Sequence, residues 1–154
     1  MSHNTWSARL TELGITLPPV AAPVAAYVPA VRNGDVVYTS GQLPLVDGKL
    51  THTGKVGAEV SAEEAKTAAR TAALNALAAV DALVGLDNIA SVVKVVGFVA
   101  SAEGFTGQPG VINGASELLG EIFGEVGAHA RSAVGVAELP LGAPVEVELM
   151  VEVR

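Results

Sequence analysis

No cysteine occurs anywhere in the 154 residues, which excludes disulfides, thiolate nucleophiles and thiolate-ligated metals. Aromatic residues are nearly as scarce, at 4% of the chain, although half of it is apolar. The interior must therefore be filled by Val, Leu, Ile and Ala. Side chains that small let backbones approach closely, so tight helix-on-sheet packing is expected rather than a roomy cavity. Positive charge is also in short supply: nine Lys and Arg stand against sixteen Asp and Glu, for a net charge of −7. Nucleic-acid affinity comes largely from basic side chains neutralising phosphates, and no basic cluster exists, so no nucleic-acid partner is expected. No apolar run approaches the ~18 residues of a membrane span. Met1 to Leu13 carries His3, Asn4, Arg9 and Glu12 and has no apolar core of signal-peptide length. A cytoplasmic protein with no membrane partner is the expectation. His3, His52 and His129 have no ligand spacing between them, so no metal is expected. Neither a Gly-x-Ser-x-Gly elbow nor a phosphate-binding loop is present. The glycines of 104–110 come without the Lys-Ser/Thr pair such a loop needs, and Ser40 has no base beside it in the chain.

What the chain does have is patterning. Its length fits one domain. A mean hydropathy of +0.46 leaves apolar surface that an interface between copies would absorb. Thr5 to Leu13 reads as a short helix, capped by Asn4 or Thr5 and stopped by Gly14. Ile15 to Ala26, with Pro18, Pro19 and Pro23, reads as an extended arm laid over the domain surface. Tyr27 to Arg32 and Asp35 to Ser40, joined by Asn33-Gly34, predict a hairpin with a type I′ turn. Asp47-Gly48 turns the chain again toward a short segment at Lys49 to Thr51. Ser61 and Glu64 form a capping box that opens a helix ending at Gly85. Leu74, Leu77, Val80 and Val84 mark its apolar stripe, widened by alanines, with Glu63, Lys66, Arg70 and Asp81 facing water.

Ile89 to Ala100 is Val-rich and reads as a strand buried on both faces. Pro109 to Phe123 repeats Val111, Ile112, Ala115, Leu118, Leu119 and Ile122 at helical spacing, weakened by Gly114 and Gly120. Arg131 to Leu139 is a strand ended by Pro140-Leu141-Gly142. The last strand places Val145, Val147, Leu149, Val151 and Val153 on one face and Glu146, Glu148, Met150 and Glu152 on the other. The expected fold is α+β: a mixed sheet with two helices packed on one face, whose opposite face stays bare unless copies join edge to edge.

A sparse set of polar residues remains at strand and helix ends: Tyr27, Ser40, Gly41, Asn113, Arg131 and Glu146. Taken singly, each has a plainer reading. Arg131 suits an exposed strand, Glu146 is one carboxylate among several on its face, Asn113 suits a turn beside Gly114, and Tyr27 suits edge packing.

Together, however, the surrounding segments resemble the RidA/YjgF family. Tyr27-Val28-Pro29-Ala30-Val31 and Val37-Tyr38-Thr39-Ser40-Gly41-Gln42-Leu43-Pro44 are similar to its amino-terminal hairpin. Val93 to Val99 is similar to its middle strand, and Val111-Ile112-Asn113 to the opening of its second helix. Ala130 to Pro140, followed by Gly142 to Glu148, resembles its carboxy-terminal signature almost in full. The resemblance covers Pro23 to Val153. It implies a family domain over 23–154, preceded by an amino-terminal extension over 1–22, and a chorismate-mutase-like fold. It also implies a homotrimer with clefts between neighbouring subunits, its acidic sheet face turned inward. Three departures stand out. Ala25-Ala26 replaces a common Gly-Pro, Ala133 replaces a thiol found in some relatives, and the arm before Pro23 is longer than usual.

The activity implied is hydrolysis of enamines and imines to 2-oxo acids and ammonia, with no cofactor. Under that reading Arg131 anchors the substrate carboxylate through paired hydrogen bonds. Glu146, on the neighbouring strand, holds the attacking water as a base. Backbone groups of Ser40 and Gly41 fix the imine, and Asn113 and Tyr27 shape the cleft. The alternative is a protein that binds a 2-oxo acid or other small carboxylate in the same cleft without turning it over. A ribonuclease needs an electropositive track that this chain lacks, and a chorismate mutase needs more cations than Arg131 alone.

Overall fold

The computed structural model describes residues 5–23 and 25–154; His3 and Asn4, the alternative helix cap, lie outside them. Helix α1 (Trp6–Leu13) starts at Thr5, whose hydroxyl accepts from the Ala8 N–H, and ends at Gly14 with φ 70°. It is held to the domain at both ends. Trp6 donates from Nε1 to the Ile89 carbonyl at 2.7 Å and meets Phe123 edge to face at 5.0 Å, while Leu10 is buried. Residues 15–23 beyond it carry no regular structure, with Ile15 and Leu17 packed against the core.

Strands β1 (Ala30–Asn33) and β2 (Val36–Thr39) form the expected hairpin, with Asn33 paired to Val36. The turn therefore sits one residue later than the Asn-Gly signal suggests. Gly34 (φ 62°) and Asp35 are its central pair, and only the glycine has positive φ. That is the requirement of a type II′ turn, not type I′. Tyr27 to Pro29 lies outside the strand. The turn with two positive φ values is instead Asp47-Gly48 (52° and 79°), joining β3 (Leu45–Val46) to β4 (Lys49–Leu50).

Helix α2 (Ala62–Val84) opens on the complete Ser61/Glu64 capping box and stops at Gly85. Strand β5 (Ile89–Ala100), helix α3 (Gln108–Phe123), strand β6 (Ala130–Val136) and strand β7 (Val145–Val153) follow. β6 is shorter than expected, because the chain leaves the sheet at Ala137 before the turn at 140–142.

The main sheet has the order β1-β2-β7-β5-β6, with β5 and β6 parallel and the other neighbours antiparallel. Val37, Val95, Val147, Leu149 and Val151 on one face are buried beneath α2 and α3. Ala65, Ala69, Ala72, Ala73 and Ala76 of α2 are fully buried. These small residues allow the close approach that the composition predicted: a Cβ on Gly114 of α3 would overlap the Lys66 backbone carbonyl of α2. Lys66 and Arg70 do not simply face water; they bridge to Glu117 at 3.1 Å and Glu121 at 3.5 Å of α3.

Among the described residues no layer covers the opposite face. β5 is thus buried on one side only, with Val96 and Phe98 half exposed on the other. Glu146, Glu148, Met150 and Glu152 lie on that bare face beside exposed Tyr38 and Val134. The mixture of carboxylates and large apolar side chains is surface of the kind that self-association covers.

Candidate active site

The residues singled out in the sequence converge into two groups, on opposite faces of the sheet. The first is built on the edge strand β6. Ala133 packs against the core, so Arg131, two residues away, projects from the same face and its guanidinium reaches α3. Nη1 donates to Asn113 Oδ1 at 2.8 Å and to Ser116 Oγ at 3.2 Å, and Nη2 donates to the Pro109 carbonyl at 3.3 Å. Asn113 and Ser116 are one helical turn apart and so present together. Ser116 Oγ in turn lies 2.9 Å from His129 Nε2, and His129 Nδ1 lies 2.6 Å from the Gly127 carbonyl. All four side chains belong to half-buried residues. Arg131 Nε–H and one Nη2 N–H meet no acceptor among the described residues, which leaves two donors for a planar carboxylate.

The second group is centred on Glu146 at the start of β7, on the bare face. Gln42 and Val147 exchange backbone hydrogen bonds of 2.8 and 3.0 Å, which lays Gly41 directly over the Glu146 carboxylate. A Cβ at Gly41 would collide with Glu146 Oε2. The Ser40 hydroxyl donates to the Val28 carbonyl at 2.6 Å, and its N–H donates to the Pro29 carbonyl at 2.8 Å. Ser40 therefore ties the Tyr27–Pro29 segment to the end of β2. With both its donors committed, it has none for an imine; the backbone N–H on offer there belongs to Gly41. Tyr27, Gly41 and Gln42 line a small cavity of about 30 Å³.

Burial, and secondarily the charge of Glu148, raises the Glu146 pKa above its ordinary value. That moves it toward the range where a carboxylate is an effective base near neutral pH. The sign for stability follows from linkage. A carboxyl whose folded pKa exceeds its unfolded value contributes most below the unfolded pKa, and that contribution is lost as pH rises through the folded pKa. Glu146→Gln is accordingly expected to raise the melting temperature at pH 7–8. Thermal scans across pH should show the gain vanish below the ordinary glutamate value. Gly41→Ala is expected to fold, because a flexible carboxylate rather than backbone must yield, while displacing Glu146. Circular dichroism unchanged from wild type, with the Glu146→Gln gain in melting temperature reduced in the Gly41→Ala background, is the outcome that checks it.

The sequence order suggested that Glu146 sits on the strand next to Arg131, and the topology corrects this. Parallel pairing of β5 with β6 makes β6 an edge, so β5 separates the two residues. Glu146 is level with Val134 through Phe98, whereas Arg131 is level with Val95. Two strand spacings, roughly 10 Å, and the thickness of the sheet lie between them. Ser116 and His129 were not among the expected site residues. The signal for them was the one-turn spacing from Asn113 and the two-residue spacing from Arg131.

These features define a class: one-domain α+β proteins whose helix-backed sheet carries a fixed arginine at one edge and a half-buried carboxylate on its bare face. The chain belongs to the YjgF family. Residues 7–153 match the family model described as "YjgF/chorismate_mutase-like, putative endoribonuclease", and the fold is the YjgF/chorismate-mutase-like fold. "Protein TCP17" of Trypanosoma cruzi is 48% identical over 150 residues, 96% of this chain and 94% of that protein. The crystal structure of Atu1372 from Agrobacterium tumefaciens, described as a protein of unknown function, is similar with TM-score 0.89 and 46% identity, over 97% of this chain and 92% of that one. A Shewanella oneidensis protein described as a putative endoribonuclease matches with TM-score 0.93 and 36% identity, over 97% and 100% of the two chains. No helix among the described residues is long and apolar enough to cross a membrane.

Proposed function

We propose that this protein is a cytoplasmic enzyme that hydrolyses 2-imino acids and their enamine tautomers to 2-oxo acids and ammonia, in clefts between the subunits of a homotrimer. The observation that carries this is the Arg131 guanidinium, held by Asn113, Ser116 and Pro109 with two N–H donors to spare. A 2-imino acid has a planar carboxylate for that fork and an electrophilic carbon one bond away. Arg131 binds the carboxylate; Glu146 takes a proton from a water as its oxygen bonds to the imine carbon. The C=N electron pair moves to nitrogen, which takes that proton from Glu146. In the resulting carbinolamine Glu146 takes the hydroxyl proton and passes it to the amine; the oxygen pair closes the C=O bond as the C–N bond breaks, releasing ammonia and the 2-oxo acid. In this reading the Gly41 N–H fixes the reacting group beside Glu146, a role supported by the close approach of Gly41 to that carboxylate.

Since Arg131 and Glu146 lie on opposite faces of the sheet within one chain, this chemistry takes them from two copies. The bare face, with its apolar side chains among the carboxylates, supports such an assembly. An endoribonuclease reading, attached by name to the family and to the Shewanella protein, fits poorly with a net charge of −7 and an acidic sheet face.

The test is a coupled assay in which an amino-acid dehydratase generates 2-iminobutanoate and release of 2-oxobutanoate is followed. Faster release with the protein present supports the proposal. No acceleration, together with measurable binding of 2-oxobutanoate, would instead assign the cleft to non-catalytic carboxylate binding.

A further inference from the structure

We infer that Ser116 and His129 are positioning residues that hold the Arg131 guanidinium through a directed hydrogen-bond chain. For a neutral His129 imidazole the direction follows from the donors and acceptors on either side of it. The Gly127 carbonyl can only accept, so at 2.6 Å His129 Nδ1 must carry a proton. In the neutral imidazole, Nε2 then presents a lone pair to Ser116 Oγ at 2.9 Å. The Ser116 hydroxyl proton is drawn to that lone pair, which turns the oxygen's own lone pairs toward Arg131 Nη1 at 3.2 Å. The order is Arg131 N–H to Ser116 Oγ, Ser116 O–H to His129 Nε2, and His129 Nδ1–H to the Gly127 carbonyl.

Each link needs the next. Without the imidazole the serine hydroxyl is free to rotate and point its proton elsewhere; without the serine, Nη1 keeps only Asn113. The chain is anchored in rigid structure at both ends. Ser116 sits within α3, and Gly127 is buried at the connection into β6, where an added Cβ would press on the Leu119 carbonyl and Phe123. His129, in the connection just before the edge strand, and Arg131, its second residue, thus share one network. An edge strand with no neighbour beyond it leaves a long arginine free to swing, and this chain supplies the restraint that the missing strand does not. The consequence for ligand binding rests on the carboxylate-anchor reading above; the network itself does not.

The decisive experiment is ligand-free. Long-range 1H–15N NMR of the full-length protein reads the His129 tautomer, and low-temperature spectra read the Arg131 Nη protons. The expected result is the Nδ1–H tautomer, with separate Arg131 Nη resonances that coalesce in both Ser116→Ala and His129→Ala. His129→Gln, which keeps an acceptor toward Ser116, should restore the separation. An Nε2–H tautomer, or coalescence in Ser116→Ala but not in His129→Ala, would overturn the chain.

Calorimetric titration with 2-oxobutanoate supplies the functional readout. Each single variant should weaken binding about five- to tenfold, and the double variant should be no weaker than either single, because both break one chain. Multiplying effects in the double variant would contradict the shared role. Failure of the wild type to bind 2-oxobutanoate would remove the carboxylate-anchor reading, while the NMR outcome still decides the network.

Discussion

Arg131→Ala is expected to lower kcat/KM for 2-iminobutanoate by about a hundredfold or more, and to leave the fold intact. Charge-assisted hydrogen bonds are worth about 1.5–3 kcal/mol each, and the variant removes both that the guanidinium has to give. Every 1.4 kcal/mol or so is a factor of ten in rate, so the two bonds together reach the predicted loss even at the lower end of that range. The fold survives because Arg131 is half exposed on an edge strand, and water can replace it at Asn113, Ser116 and the Pro109 carbonyl. Arg131→Lys is expected to recover little, since an ammonium offers no planar fork. Steady-state kinetics in the coupled assay, beside circular dichroism, separate the two effects. Full activity in Arg131→Ala would remove the anchoring role.

The second large effect concerns two glycines of one helix that read alike in the sequence. Gly114→Ala gains up to about 1 kcal/mol of helix propensity, but the new methyl group overlaps the Lys66 carbonyl of α2. Backbone cannot rotate out of the way as a side chain does. Overpacking typically costs about 1–3 kcal/mol and sometimes more; a backbone clash belongs at the upper end, so a net loss of about 2 kcal/mol is expected. For a chain of this size that lowers the melting temperature by roughly 4–8 °C. Gly120→Ala meets nothing within 4 Å and should raise stability by up to about 1 kcal/mol. Opposite signs in thermal unfolding are the expected outcome; equal signs would mean that the α2–α3 approach is looser than described.

The contrast between those glycines also marks where the sequence becomes silent. Elements with local signals were legible nearly to the residue. The Ser61/Glu64 box and Gly85 bound α2, β-branched density marks β5, and strict alternation marks β7. The hairpin was legible, but its turn slipped by one residue, because strand register rather than dipeptide preference chose the central pair. Nothing local distinguishes Gly114, pressed against a helix 48 positions earlier in the chain at Lys66, from Gly120, open to solvent.

The site divides in the same way. The resemblance pointed to Arg131, Asn113, Glu146 and Gly41, and the structure brings them into two pairs: Arg131 with Asn113, and Glu146 with Gly41. That a whole strand separates the pairs follows from a strand order, β6-β5-β7, which no spacing along the chain encodes. Ser116 drew no expectation and His129 was weighed only as a metal ligand, because a lone serine and a lone histidine carry no motif; only their shared geometry with Arg131 gives them meaning.

Mixing two inactive variants tests most directly whether a cleft joins Arg131 of one copy to Glu146 of another. Arg131→Ala and Glu146→Gln subunits, unfolded together at equal concentration and refolded, should recover activity, since about a quarter of the clefts in a random ring then hold both native residues. Recovery toward that level is the predicted result. A mixture as inactive as its components, despite refolding into the wild-type assembly, would contradict a site shared between copies.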